Sequence, residues 1–245
     1  MIIELGMSDA FALFIRANPV IFAALFGVIP AVVWLWFWLK EDIHPEPTKF
    51  IVFTFLAGML AVFVALPLQH VTEPFFAENS TALFFVWAFI EESLKFGAAW
   101  IGGIHSKVSD EPIDPIIYML IAALGFVAME NTLFLIDPLI SGNIADSLIT
   151  GNLRFIGAAL LHIMSSGVVG ISVALAFFGS KKHVLIYIGS GLILATTLHA
   201  LFNLIIMNSL TGNIFSVFGI VWIGLVCLML VLERIKRIPV ERVTE

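Results

Sequence analysis

Residues 88–100 read AFIEESLKFGAAW and set two adjacent carboxylates, Glu91 and Glu92, and one ammonium, Lys95, inside an otherwise apolar run. The rest of the chain is equally oily. Its 245 residues are 60% apolar and 12% charged, whereas soluble domains carry about a quarter charged residues. The mean hydropathy is +1.07. Apolar runs of about 18 residues or more recur, each long enough to cross a bilayer core of about 30 Å. The sequence therefore predicts an all-α membrane protein, a polytopic bundle whose solvent is the lipid bilayer.

Polar, Pro and Gly punctuation divides the chain into about seven transmembrane helices, at 20–39, 51–68, 82–101, 115–135, 155–179, 184–207 and 214–232. They form a single transmembrane domain over 1–245, since no polar stretch is long enough for a separate soluble unit. Asp114-Pro115 reads as an N-cap followed by Pro at the first helical position. Asp137-Pro138 reads as the stop, because the residue before a proline avoids the helical region. Residues 1–19 are mixed, with a short interfacial helix as one reading. The first residues lack Lys and Arg, which argues against a cleaved leader. The single cysteine, Cys227, excludes an internal disulfide. No basic patch with interleaved aromatics supports nucleic-acid binding.

Basic residues orient the bundle. Lys40, Lys49, Lys107, Lys181, Lys182, Arg234, Lys236, Arg237 and Arg242 follow the odd-numbered spans, which is nine of the twelve in the chain. The expected topology has the N-terminus outside and the C-terminus in the cytoplasm.

An energy comparison shows how unusual span 82–101 is. Its nine Leu, Ile, Phe and Val residues favour insertion by roughly 3–5 kcal/mol, against about 8–10 kcal/mol for three mid-span charges. Such a helix needs polar partners in the bundle. The candidates are few: Glu130, His162 and His199 lie deep in other spans, beside Asn131, Ser165, Ser166 and Asn203. Lys95 stands i+4 from Glu91 and i+3 from Glu92, so it reaches either carboxylate. The two glutamates point about 100° apart. His199 and Asn203 in LHALFN (198–203) share a helical face, as do His162 and Ser166 in LHIMSSG (161–167). At 1.5 Å per residue, Glu91, Glu130, His162 and His199 all fall roughly 8–14 Å below the outer ends of their spans. Carboxylates and imidazoles from four helices at one level predict one shared site within 82–207.

Two chemistries suit that set. Glu91, Glu130, His162 and His199 can ligate a divalent metal such as zinc. Alternatively, a carboxylate can act as general base on water while His and Asn steady an oxyanion. Both activate water against a carbonyl. The motifs HExxH, GxGD and GxSG are absent. Buried carboxylates and histidines would equally serve a proton- or cation-coupled transporter. A transporter needs a polar route to both faces, and IIYML (116–120), VALAFF (173–178) and VLIYI (184–188) offer none. A catalytically inert scaffold for a membrane partner is the third reading.

EESLK (91–95), GFVAMENTLF (125–134), His162 with Ser166-Gly167, and HALFN (199–203) resemble, in order, the motifs of the PrsW family of intramembrane proteases. That family is related to the CAAX prenyl endopeptidases and bacteriocin-processing enzymes. Phe126 precedes Glu130 where the wider superfamily has a Phe before a His, so the pattern is PrsW-like rather than CAAX-like. The resemblance implies that Glu91 and Glu92 are paired catalytic carboxylates with Lys95 as partner. Glu130, His162 and His199 would complete a water-activating or metal-binding set, and Asn203 would support His199 or the oxyanion. It further implies an endopeptidase in a prokaryotic cell membrane. Its substrate would be a single-span, anti-sigma-factor-like membrane protein cut near the extracytoplasmic face.

Overall fold

The computed structural model describes residues 14–78, 80–141, 157–208 and 214–238. Most of the expected 1–19 segment and the start of the expected 155–179 span lie outside them. The described residues form helices joined by turns and short loops, without strands. In chain order they form α1 (Pro19–Leu39), α2 (Thr48–Thr72), a single 3₁₀ turn (Glu73–Phe75) and α3 (Thr81–Ala99) with a wide π turn (Trp100–Ile104). These are followed by α4 (Asp114–Ile140), α5 (Ala159–Leu175), α6 (Lys181–Asn208) and α7 (Ile214–Ile235).

Among the described residues, four stretches are long and apolar enough to cross a membrane: Pro19–Leu39, Thr48–Phe75, Asp114–Ile140 and Lys181–Ile205. The chain is an integral membrane protein. The α3 stretch falls outside this set because it carries three charges, Glu91, Glu92 and Lys95, within a single span length. The described part of α5, at 17 residues, is short for a span.

α4 is the axis of the bundle. Nearly every side chain from Asp114 to Ala128 is buried, as expected of a helix apolar on all sides. Glycines let its neighbours come close. A Cβ on Gly125 would meet the Phe55 carbonyl of α2, and one on Gly58 the Ala122 carbonyl. Outward faces of α1, α2, α6 and α7 expose Val33, Leu60, Ile193 and Ile223, the belt a bilayer requires.

Two expected helix ends differ. α4 runs through Pro138 to Ile140, with Ser141 as its C-cap. The proline removes one hydrogen-bond donor near the last turn, which shortens the helix by nothing because few ladder bonds remain to lose. Asp114 is the first helical residue rather than the cap. Its Oδ2 accepts the backbone N–H groups of Asp110 and Glu111 instead.

That end of α4 carries a second polar knot, about 24 Å along the helix from Glu130. The Tyr118 hydroxyl donates to Glu46, and Asp42 accepts the backbone N–H groups of His44 and Glu46. Burial pushes the carboxyls of Glu46 and Asp42 above the usual range, against the hydrogen bonds that favour their charged forms.

Candidate metal and catalytic centre

Four helices deliver the intramembrane polar residues to one place. Glu91, Glu92 and Lys95 come from α3, Glu130 from α4, His162, Ser165 and Ser166 from α5, and His199 from α6. Counted from the helix ends, Glu91 lies about 15 Å below Thr81, Glu130 about 15 Å from Ile140 and His199 about 14 Å from Asn208. The longer α4 thus brings Glu130 to the same level as its partners.

Lys95 is fully buried at the centre. Its Nζ lies 2.6 Å from His162 Nδ1, 2.8 Å from Glu92 Oε1 and 3.4 Å from Glu91 Oε2. Three ammonium hydrogens therefore meet three acceptors. The same Nζ stands 4.6 Å from the centroid of the Phe126 ring, a cation–π contact.

Glu92 is sealed and saturated. Its Oε1 accepts from Lys95, from Ser165 Oγ at 3.0 Å and from His199 Nδ1 at 2.8 Å, and its Oε2 accepts from Ser166 Oγ at 2.7 Å. These bonds set the imidazole tautomers. Donation from His199 Nδ1 to Glu92 leaves the Nε2 lone pair free, 3.7 Å from Glu91 Oε2. Lys95 donating to His162 Nδ1 leaves the Nε2–H to donate to Glu130 Oε2, 3.2 Å away, so a metal held by His162 would take the Nδ1 lone pair in place of the Lys95 bond. The two rings stand edge to face, 5.0 Å between centroids.

Glu91 differs from its neighbour in sequence. It retains slight exposure, with 10% of its side chain accessible against none for Glu92. Gln69 of α2 donates to its Oε1 at 3.0 Å. Sequence reasoning missed Gln69, because the second span was ended at residue 68 and α2 continues to Thr72. A polar residue one turn inside that longer helix was the available signal. Asn203, one turn beyond His199, is half-buried and takes part in none of these bonds.

The donor chemistry fits a divalent metal. One ligand atom each of Glu91, His162 and His199 lies within 4.8 Å of the others, and all three residues are buried. The 3.7 Å between His199 Nε2 and Glu91 Oε2 is too long for a hydrogen bond. It is near the ~3.4 Å that separates two ligands of one tetrahedral zinc. The Glu92–His199 bond is the carboxylate–imidazole pairing that orients metal-bound histidines.

An all-helical membrane bundle that buries carboxylates and imidazoles around such a donor set has the makings of a membrane-embedded hydrolase. Sequence comparison makes the class specific. The chain belongs to the PrsW family of intramembrane metalloproteases, whose family model matches residues 46–232. It is 29% identical over 184 residues to Protease PrsW of Geobacillus kaustophilus, covering 74% of this chain and 78% of the relative. Over 187 residues it is 29% identical to Protease PrsW of Halalkalibacterium halodurans, covering 74% and 81%. Protease PrsW of Bacillus subtilis is 27% identical over 186 residues, covering 74% and 80%. No solved structure matches the chain. The protein is a membrane protease rather than a coupled transporter.

Proposed function

We propose that the chain hydrolyses a peptide bond of a single-span, anti-sigma-factor-like membrane protein near the extracytoplasmic face, with Glu91, His162 and His199 holding a divalent metal, zinc foremost. The observation that carries this reading is the buried Glu91–His162–His199 donor set inside a family of intramembrane metalloproteases. When bound, the metal would lower the pKa of a water and polarise the scissile carbonyl.

The side chains supply the rest. Glu130, partly exposed beside His162, takes the proton of the attacking water and returns it to the leaving amine. Gln69 has a second amide hydrogen beyond the one given to Glu91, and Asn203 a whole amide, to place against the developing oxyanion. Glu92 and Lys95 hold the imidazoles and Glu91 in register. A bundle of seven spans with the N-terminus outside puts this layer in the outer half of the membrane, in keeping with cleavage there.

Reconstitution with a single-span reporter tests the reading. Cleavage should fall at least a hundredfold in Glu91→Ala, Glu130→Ala and His199→Ala, and on chelation. Full cleavage by all three variants would refute the assignment. Cysteine labelling should find position 75 outside and position 181 inside; the reverse pattern would overturn the topology.

A further inference from the structure

α2 and α3 leave between them an apolar groove of about 620 Å³ that opens sideways to the bilayer. Its floor is made of small residues, Ala57 and Ala61 on α2 and Gly97 and Ala98 on α3, with Leu60 and Ile101 as exposed rims. A Cβ on Gly97 would meet nothing within 4 Å. The lining residues of α2 run from Phe53 to Val64, about 16 Å or three helical turns.

Both walls lead to the site. On α2, steps of four residues from Ala57 pass Ala61 and Ala65 and arrive at Gln69. On α3, Ala98 and Leu94 lie on the stripe that arrives at Glu91. The two stripes meet in the Gln69–Glu91 hydrogen bond. Behind the groove, Ala61 and Leu94 pack with Phe126, whose ring touches both His162 and Lys95.

We infer that this groove seats the transmembrane helix of the substrate and delivers its unwound end to Glu91. The inference rests on Glu91 belonging to the catalytic centre. Small residues aligned along two facing helices let a third backbone come close, which is how helices associate in lipid. An acyl chain needs no such floor and gains nothing from a path that ends at a carboxylate. A helix lying in the trough has its upper end one turn below Glu91, where the peptide must unwind to be cut.

Photo-crosslinking maps the occupant directly. A crosslinking residue is placed at position 60 or 97, and as control at the exposed Ile193 of α6, in the full chain carrying Glu91→Gln. The probe is a reconstituted Leu/Ala host helix of about 20 residues, with a small-residue face and a polar outer tail. Adducts with the probe at positions 60 and 97 should exceed those at 193 at least tenfold. Equal yields, or adducts with lipid alone, would overturn the inference.

A kinetic arm uses Gly97→Leu, which adds its side chain to open space. The ratio of spanning-reporter cleavage to soluble-peptide cleavage should drop at least tenfold, and an unchanged ratio would equally overturn the inference. Failure of the catalytic reading looks different: Glu91→Gln would then cleave the reporter while the crosslinking map stayed the same.

Discussion

Glu92 and Glu91 are neighbours in sequence with opposite expected jobs, and a stability cycle separates them. Glu92 has no exposure and accepts four hydrogen bonds, two of them from Lys95 at 2.8 Å and His199 at 2.8 Å. Glu92→Ala would leave Lys95 buried with Glu91 at 3.4 Å as its remaining carboxylate. Breaking a buried pair this way costs about 3–5 kcal/mol. Ser165 adds little to the loss, since its hydroxyl already has a second acceptor in the Leu161 carbonyl. Glu91→Ala keeps the Lys95–Glu92 pair and should cost about 1–2 kcal/mol, the value of its hydrogen bonds in a membrane interior. Replacing both members, Glu92→Leu with Lys95→Met, removes the unpaired charge and should recover most of the lost stability. Unfolding by an SDS titration in mixed micelles gives the free energies for all four proteins. If Glu92→Ala unfolds with the wild-type midpoint, or if the double variant recovers nothing, Glu92 is not the buried frame described here.

Three further outcomes are expected. Gln69→Leu should lower kcat/KM about tenfold or more, from the loss of a hydrogen bond to a charged group worth about 1.5–3 kcal/mol. Its unfolding midpoint should fall no further than that of Glu91→Ala, which loses the same bond, and an unchanged kcat/KM would remove Gln69 from the site. Glu46 has its carboxyl pushed up from 4.5 by burial, so the folded state favours its protonated form. The stability it contributes is complete below the ordinary carboxylate range and is lost as pH rises through the elevated value. Thermal midpoints should therefore fall on raising the pH above the carboxylate range, and Glu46→Gln should flatten that fall; identical slopes would contradict the burial argument. Gly125→Leu would drive a side chain into the Phe55 carbonyl of α2, costing about 1–3 kcal/mol or more. Wild-type stability in that variant would mean that α2 and α4 are not packed backbone to backbone.

Much of the centre was legible because charge in lipid is so expensive. The insertion deficit of residues 82–101 requires polar neighbours, and only a handful of residues in other spans qualify. Depth along each helix then put Glu91, Glu130, His162 and His199 at one level, and the structure brings them into contact. Helical period alone left Glu91 and Glu92 about 100° apart without ranking them. The ranking comes from α5 and α6, which surround Glu92 with Ser165, Ser166 and His199. Gln69 escaped because helix ends in lipid are poorly marked by composition, and α2 continues for four residues past its apolar run. The Asp42–Glu46–Tyr118 knot escaped for another reason: a loop and a helix start far apart in sequence meet only through tertiary packing. Pro138 marked a helix end too early, since a proline close to the last turn disturbs few ladder bonds.

The claim that Glu91, His162 and His199 hold a metal is tested most directly by the metal content of the purified full chain, read by mass spectrometry alongside reporter cleavage. The wild type should carry close to one equivalent of zinc or another divalent ion. Glu91→Ala and His199→Ala should lose it together with cleavage, while Gly97→Leu should retain it. A wild-type preparation that cleaves the reporter at full rate with no bound metal would contradict the account.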